Sequence, residues 1–269
     1  MKYKTDAYLI TCLTNMHVGS GETNYGVIDN LVQRDPITEV PIIHSSSLKG
    51  ALREFFEDEW KTDTDKDKLN YIFGHDASRN PGTAGGIGHY KFFDANLIVL
   101  PVRSNAKPFY RATADFVLKE INDKAVALNL STFNINPFNL TPVSSGTPIV
   151  TDNSVPMLED YQAENGLTVA AGVINNLGND PALFHDDDFK ELVKHLPVIA
   201  RNQLENGESK NLWYEEVVPR ESRFVFFVSK LESTELDLSD FDTKIQEKVI
   251  QIGGNASIGY GYTKIKKLS

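Results

Sequence analysis

The spacing of apolar and polar positions divides the chain into a short series of elements. Residues 5–14 read as a first strand, carried by Ala7-Tyr8-Leu9-Ile10-Thr11-Cys12-Leu13. A Gly-, Ser- and Asn-rich loop follows, Asn15 to Glu22. A second extended piece runs from about Tyr25 to Gln33 and closes on the turn signal Arg34-Asp35-Pro36. Ser45-Ser46-Ser47 offer N-cap hydroxyls to a helix from about Leu48 to Trp60. In it Leu48, Ala51, Leu52, Phe55 and Phe56 recur on one face, and Lys49 and Arg53, four apart, share another. After a glycine-rich loop over 74–90 (Gly74, Gly82, Gly85, Gly86, Gly88) comes a strand from about Phe92 to Val102.

The stretch 121–168 has no strong period and carries Pro137, Pro142, Pro148 and Pro156. It reads as an insertion that carries a projecting hairpin, since structureless connections of this length are usually functional. Asp186-Asp187-Asp188 predict the start of a helix over about 187–204, with Pro197 breaking or kinking it. Glu221 to Leu231 is a strong strand with a nearly continuous apolar run. Residues 238–251 read as helical, and a glycine loop (253–261) leads into a last strand, Thr263 to Leu268. The order strand, helix, strand, insertion, helix, strand, helix, loop, strand suits a single α+β domain over 1–269. Its expected form is a ferredoxin-like sheet with large insertions. No internal repeat of 20 to 50 residues is present.

Composition narrows the function classes. The single Cys12 excludes an internal disulfide and a cysteine-cluster metal site, and reads as a small core residue. The N-terminus lacks the features of a signal peptide, and no apolar run is long enough to span a membrane. A reduced, cytoplasmic protein with no membrane partner is expected. The net charge of −10 argues against bulk affinity for nucleic acid. Any RNA binding must rest on local sites.

Three segments carry candidate chemistry. His17-Val18-Gly19-Ser20-Gly21 presents bare backbone N–H groups to a ligand, with Asp29 and Asn30 shortly after. Ser46 and Ser47 at a helix start, backed by Lys49 and Arg53, form an expected anion site. Gly253, Gly254 and Asn255, with Gly259-Tyr260-Gly261, are a second cradle for phosphate. None of these matches a strict nucleotide-binding spacing. Each loop alone has even odds of being a tight turn. Asp29 lies in an apolar stretch; from spacing alone it is more often a structural turn residue than a group binding a metal or a proton. His17 alone is likewise more often structural.

Together the three segments resemble the RAMP superfamily of CRISPR proteins. Asn211-Leu212-Trp213-Tyr214-Glu215-Glu216-Val217-Val218-Pro219-Arg220-Glu221, Leu100-Pro101-Val102-Arg103-Ser104 and Ile252-Gly253-Gly254-Asn255 sharpen the likeness to the backbone subunits of type III-B (Cmr) effectors. The Asp29-Asn30-x-Val32-x-Arg34-Asp35-Pro36 segment also resembles the type III-A (Csm) backbone subunit. The resemblance implies an RRM-like palm with a projecting thumb, copies stacked head to tail on guide RNA, contact with other Cmr subunits, and cleavage of a paired single-stranded target RNA. It implies Asp29 as the cutting aspartate, His17 and Glu215 as its neighbours, and Ser46, Ser47, Lys49 and Arg53 as guide-phosphate contacts. A divalent cation, Mg2+ or Mn2+, at Asp29 is expected with it. The alternatives are a non-catalytic guide-RNA scaffold and a guide-processing nuclease acting alone. The run Asn105-Ala106-Lys107-Pro108-Phe109-Tyr110 departs from the family's pattern at that point.

Overall fold

The computed structural model describes residues 3–21, 26–75, 86–138, 142–169, 174–233 and 235–269. Glu22, Tyr25, Gly82 and Gly85, named above, lie outside them. The described elements in chain order begin with β1 (Tyr3–Cys12), α1 (Ser45–Glu59), α2 (Asp63–Phe73), β2 (Ala95–Val102), β3 (Tyr110–Ala114) and α3 (Asp115–Ala127). They continue with β4 (Ile149–Val150), β5 (Glu164–Asn165), β6 (Pro181–Phe184), α4 (Asp186–Lys194), β7 (Val198–Glu205) and β8 (Glu208–Glu216). The last are β9 (Arg223–Leu231), α5 (Asp240–Ile245), β10 (Val249–Gln251) and β11 (Tyr262–Lys267).

One sheet runs β5-β4-β6-β3-β2-β9-β1-β11-β10, with the short strands Ile42–Ile43 and Lys91–Phe92 pairing onto β2 and β9. Its centre, β11-β1-β9-β2, is antiparallel throughout. That is the ferredoxin-like order, built from β1-α1-β2 and β9-α5-β11, so the expected fold class is the one observed. The long apolar run in β9 is explained by its central place: Phe224 to Lys230 are all buried. Tyr8 of β1 stacks on its cross-strand partner Phe226 at 5.0 Å. On the other side of the sheet Phe133 meets Phe227 edge-on. Leu48, Leu52 and Phe56 form the buried face of α1, and Phe56 stacks on Phe241 of α5 at 4.9 Å, which seats both helices on one face. Cys12 is fully buried, and burial pushes its thiol up to about 12, so it is an inert core group.

Local differences from expectation have local causes. The helix α1 starts at Ser45, not after the serines. His44 is its N-cap without a side-chain bond, and Asp94 takes the Ser45 N–H at 2.6 Å instead. The helix expected over 187–204 ends at Lys194, because the chain reaches Pro197 and turns into β7. The helix expected over 238–251 is only α5. Glu247 takes a left-handed φ of 56° and the chain continues as the edge strand β10.

Between β2 and β9 the chain departs from the palm for more than a hundred residues and extends the sheet. In 121–168, Ile135, Val150, Leu158 and Ala163 are fully buried, and β4 and β5 continue the sheet. A hairpin does stand off the sheet, but later: β7 and β8 form a separate two-stranded sheet across Asn206-Gly207, joined at the end of β8 by a bridge from Asn30. Both turn residues have positive φ, 54° and 86°, as a tight two-residue hairpin requires. No helix among the described residues is long and apolar enough to cross a membrane.

At the end of the central strands, Lys230 and Lys267 bridge Asp6 and Asp242, and Tyr8 donates to Asp242 at 2.5 Å. Burial pushes the Asp242 carboxyl up, but the bonds from Lys230, Lys267 and Tyr8 outweigh it and hold it below its usual range. Burial lowers Lys267, while Asp242 and Asp6 outweigh this and raise it. Asp242 therefore contributes stability above its unfolded pKa of about 3.9, lost as the pH falls through its lower folded value. Lys267 contributes below about pH 10.4, lost as the pH rises through its higher folded value. Urea midpoints measured from pH 2 to 11 should be flat across neutrality and fall at both ends. A Lys267→Met variant should lose much of the alkaline fall.

Candidate active site at the base of the hairpin

The site is organised around the C-terminal end of β8. Successive residues there send backbone and side chain to different partners. The N–H of Tyr214 donates to Asp29 Oδ2 at 2.8 Å, while the Tyr214 carbonyl accepts from the N–H groups of Asp29 and Asn30 at 3.1 and 3.2 Å. Asn30 forms a parallel bridge with Glu215. Asp29 is thus added along the free edge of β8 by backbone bonds, with its carboxylate exposed to solvent. The extended strand expected over 25–33 is not regular: only isolated bridges at Asn30 and Val32 occur in its described part, and Val27 is 87% exposed.

Glu215 faces the other way and is buried. Its Oε1 accepts from Trp213 Nε1 at 2.8 Å; its Oε2 accepts from Arg201 Nε at 2.9 Å and Asn255 Nδ2 at 3.0 Å. Burial pushes its carboxyl up, but the bonds from Trp213 and Arg201 and the charges of Arg201 and His17 outweigh that, so it sits below the ordinary range. Glu215 is ionised with both oxygens occupied. That arrangement orients neighbours and supplies a fixed negative charge. Arg201 also lies over the Tyr260 ring at 4.5 Å, which ties the hairpin to the glycine loop.

Glu216 is 2% exposed. It accepts from Arg34 Nη2 at 2.5 Å and from the Val32 N–H at 3.1 Å. Its carbonyl is 2.7 Å from His17 Nδ1. His17 is buried, and its own carbonyl accepts from the Gly254 N–H at 2.8 Å. The glycines here are steric requirements. A Cβ on Gly253, whose φ is +90°, would stand 2.4 Å from the His17 oxygen, and one on Gly19 would stand 3.1 Å from His17 Nε2.

The first turn of α1 separates two clefts. Gly19, Ser47 and Gly253 line one of about 310 Å³, so the three segments singled out by sequence do converge. Gln33 holds this junction: its amide donates to the Gly19 carbonyl and to Ser47 Oγ, and its oxygen accepts from the His44 N–H. Ser46 and Lys49 face the second cleft, on the other side. Burial, then the Arg53 charge, lowers Lys49. Arg53 itself turns to Glu57 and to the Gly74 carbonyl, at 2.8 and 2.9 Å. Ser20 donates its N–H to Leu31, and Gly21 is exposed with a φ of +77°. Asn255 serves Glu215 rather than an open cradle.

The residues singled out by sequence, Asp29, His17, Glu215 and the glycines, thus lie around one junction, and Arg201, Trp213, Gln33, Arg34 and Glu216, which support them, were not singled out. Trp213, Glu216 and Arg34 lay inside quoted motifs without their partners being evident; Arg201 and Gln33 had no local signal. Among the described residues no group of three or more His, Cys, Asp or Glu side chains is placed to hold a metal ion. Asp29 offers one exposed carboxylate. That suits a cation held mostly by phosphate and water, as Mg2+ usually is.

Comparison with known proteins gives the family and the fold. The Cmr endoribonuclease Cmr4 of Pyrococcus furiosus is 29% identical over 96% of this chain and 95% of its own length. The CMR subunit Cmr4 of Saccharolobus solfataricus is 25% identical over 97% and 96%. The endoribonuclease Csm3 of Streptococcus thermophilus is 29% identical over 57% of this chain and 78% of its own length. Among solved structures, a chain of the type III-B Cmr-beta complex bound to cognate target RNA superposes with a TM-score of 0.77 at 24% identity, covering 98% of this chain and 97% of that one. Oligomeric Cmr4 from Pyrococcus furiosus gives 0.69 at 22% identity, over 98% and 99%. The family model of the RAMP superfamily matches residues 9–264. The chain belongs to the RAMP superfamily.

Proposed function

We propose that this chain is a backbone subunit of a type III-B CRISPR effector, which holds guide RNA, stacks with further copies and other Cmr subunits, and cuts the paired target RNA. One observation carries the reading. The Asp29 carboxylate is exposed and aimed by the Tyr214 N–H at the root of a free-standing hairpin. The full-length likeness to an endoribonuclease supports it.

The chemistry follows from RNA itself. The target 2′-oxygen attacks the adjacent phosphorus once the backbone is bent into line. Asp29 accepts the 2′-OH proton, the P–O5′ bond breaks, and the leaving oxygen takes a proton from water. The products are a 2′,3′-cyclic phosphate and a 5′-hydroxyl. Ionised Glu215, beside His17 and Arg201, keeps the root of the hairpin in one arrangement. A divalent cation, Mg2+ or Mn2+, held by Asp29 with RNA phosphate and water, would supply positive charge to the phosphate. Sequence reading falls to base pairing, so the acidic chain needs only local grips on backbone.

The test uses guide-loaded complex and an end-labelled target. Cutting should give a ladder with one rung per subunit. A single 2′-deoxynucleotide on the 5′ side of one scissile phosphate should erase that rung and leave the others. Persistence of that rung would overturn the 2′-OH route.

A further inference from the structure

A cleft of about 470 Å³ lies between the first turns of α1 and the segment 87–92, on the side of α1 away from Gly253. Its chemistry is unlike that of the acidic chain as a whole. Lys49 enters from α1 and Lys91 from the opposite wall. Among the described residues neither has a carboxylate partner, and the two converge on one cleft. Lys91 sits over the Tyr3 ring at 4.1 Å. His89 is exposed and stacked on Tyr71 at 4.2 Å with an interplanar angle of 24°. Tyr71 is in turn anchored by its hydroxyl to the Glu232 carbonyl at 3.2 Å. The result is an ordered ring pair with one face backed by protein, next to two cations that lack anions.

That combination suits one chemical class. A phosphodiester supplies the anion that two unpaired lysines lack, and a nucleobase supplies the flat apolar face that a backed histidine ring can take up. An acidic peptide would satisfy the lysines but leave the ring unused. We propose that this cleft is an RNA subsite, with a phosphate between Lys49 and Lys91 and the adjoining base stacked on His89. It extends the RNA track from the Gly19–Ser47–Gly253 junction across α1. The inference rests on the RNA-binding reading above and adds Lys91 and His89 to it.

The experiment measures guide-RNA affinity of the full chain over a salt series, for wild type, Lys49→Ala, Lys91→Ala, Lys91→Arg, His89→Ala and His89→Tyr. Each protein is first checked for an unchanged unfolding midpoint. Lys91→Ala should weaken binding about tenfold and flatten the salt dependence by roughly one phosphate contact, with Lys91→Arg near wild type. His89→Ala should weaken binding about tenfold with the salt slope unchanged, and His89→Tyr should restore it. A second arm measures target RNA on guide-loaded complex; a loss confined to that arm assigns the subsite to the target strand. If Lys49→Ala weakens binding while Lys91→Ala and His89→Ala match wild type in both arms, the subsite is overturned and the RNA reading stands. If no variant alters binding in either arm, the subsite is overturned and the RNA contact at Lys49 falls with it.

Discussion

Replacing Glu216 by Ala should destabilise the chain by about 3–5 kcal/mol, the range for removing one partner of a buried ion pair. Glu216 joins separate parts of the fold. Its side chain takes Arg34, whose other nitrogen donates to the carbonyls of Glu39 and Val193, and it also takes the Val32 N–H. Removal leaves a half-buried guanidinium and a buried N–H without their acceptor, and both must be desolvated in the folded state. Against a typical total of about 5–15 kcal/mol this is a large fraction. Urea unfolding should show a lower midpoint with an unchanged slope. Glu216→Gln, which keeps an acceptor, should cost less. The double variant with Arg34→Ala should cost less than the sum of the singles. A loss under about 1 kcal/mol for Glu216→Ala would place the pair with ordinary surface bridges.

The larger effect belongs to Asp29. It lies at the surface, bonded through Oδ2 to one backbone N–H, with no buried partner to strand. Asp29→Ala should therefore leave the unfolding midpoint within about 0.5 kcal/mol of wild type. Losing a positioned proton acceptor should lower target cutting by about 10²–10⁴-fold. Asp29→Asn keeps the Tyr214 bond yet cannot take a proton, and should be nearly as slow. Glu215→Gln is the informative contrast. It removes the charge that Arg201 and His17 face while keeping an oxygen acceptor, so its effect should be partial, with some loss of stability.

The palm was legible because its signals are local and periodic. The strand around Ala7–Leu13, the apolar face of α1 and the run through Phe224–Val228 each declare a period or a continuous core segment, and their order alone implies the ferredoxin-like pairing. The hairpin was not read, although Asn206-Gly207 is a strong turn signal, because β7 and β8 are mostly exposed and show no apolar alternation. The extent of 121–168 was misjudged for a related reason. Its buried residues, such as Ile135 and Val150, are scattered singly among prolines and polar residues rather than spaced with a period. At the site, glycines and motif residues stood out one by one, but their supports are long-range. Arg34 and Glu216 are 182 positions apart, and Asn255 reaches Glu215 across 40. Such pairings arise only when the central sheet brings β8, the Asp29 segment and the glycine loop together.

The most direct measurement compares guide-loaded complexes assembled from wild-type chain and from Asp29→Ala chain, reading target binding and target cutting on the same RNA. The prediction is equal binding, with every rung of the cleavage ladder lost from the Asp29→Ala complex. A full ladder at the wild-type rate from that complex would contradict the account and leave the chain as a scaffold for a nuclease elsewhere.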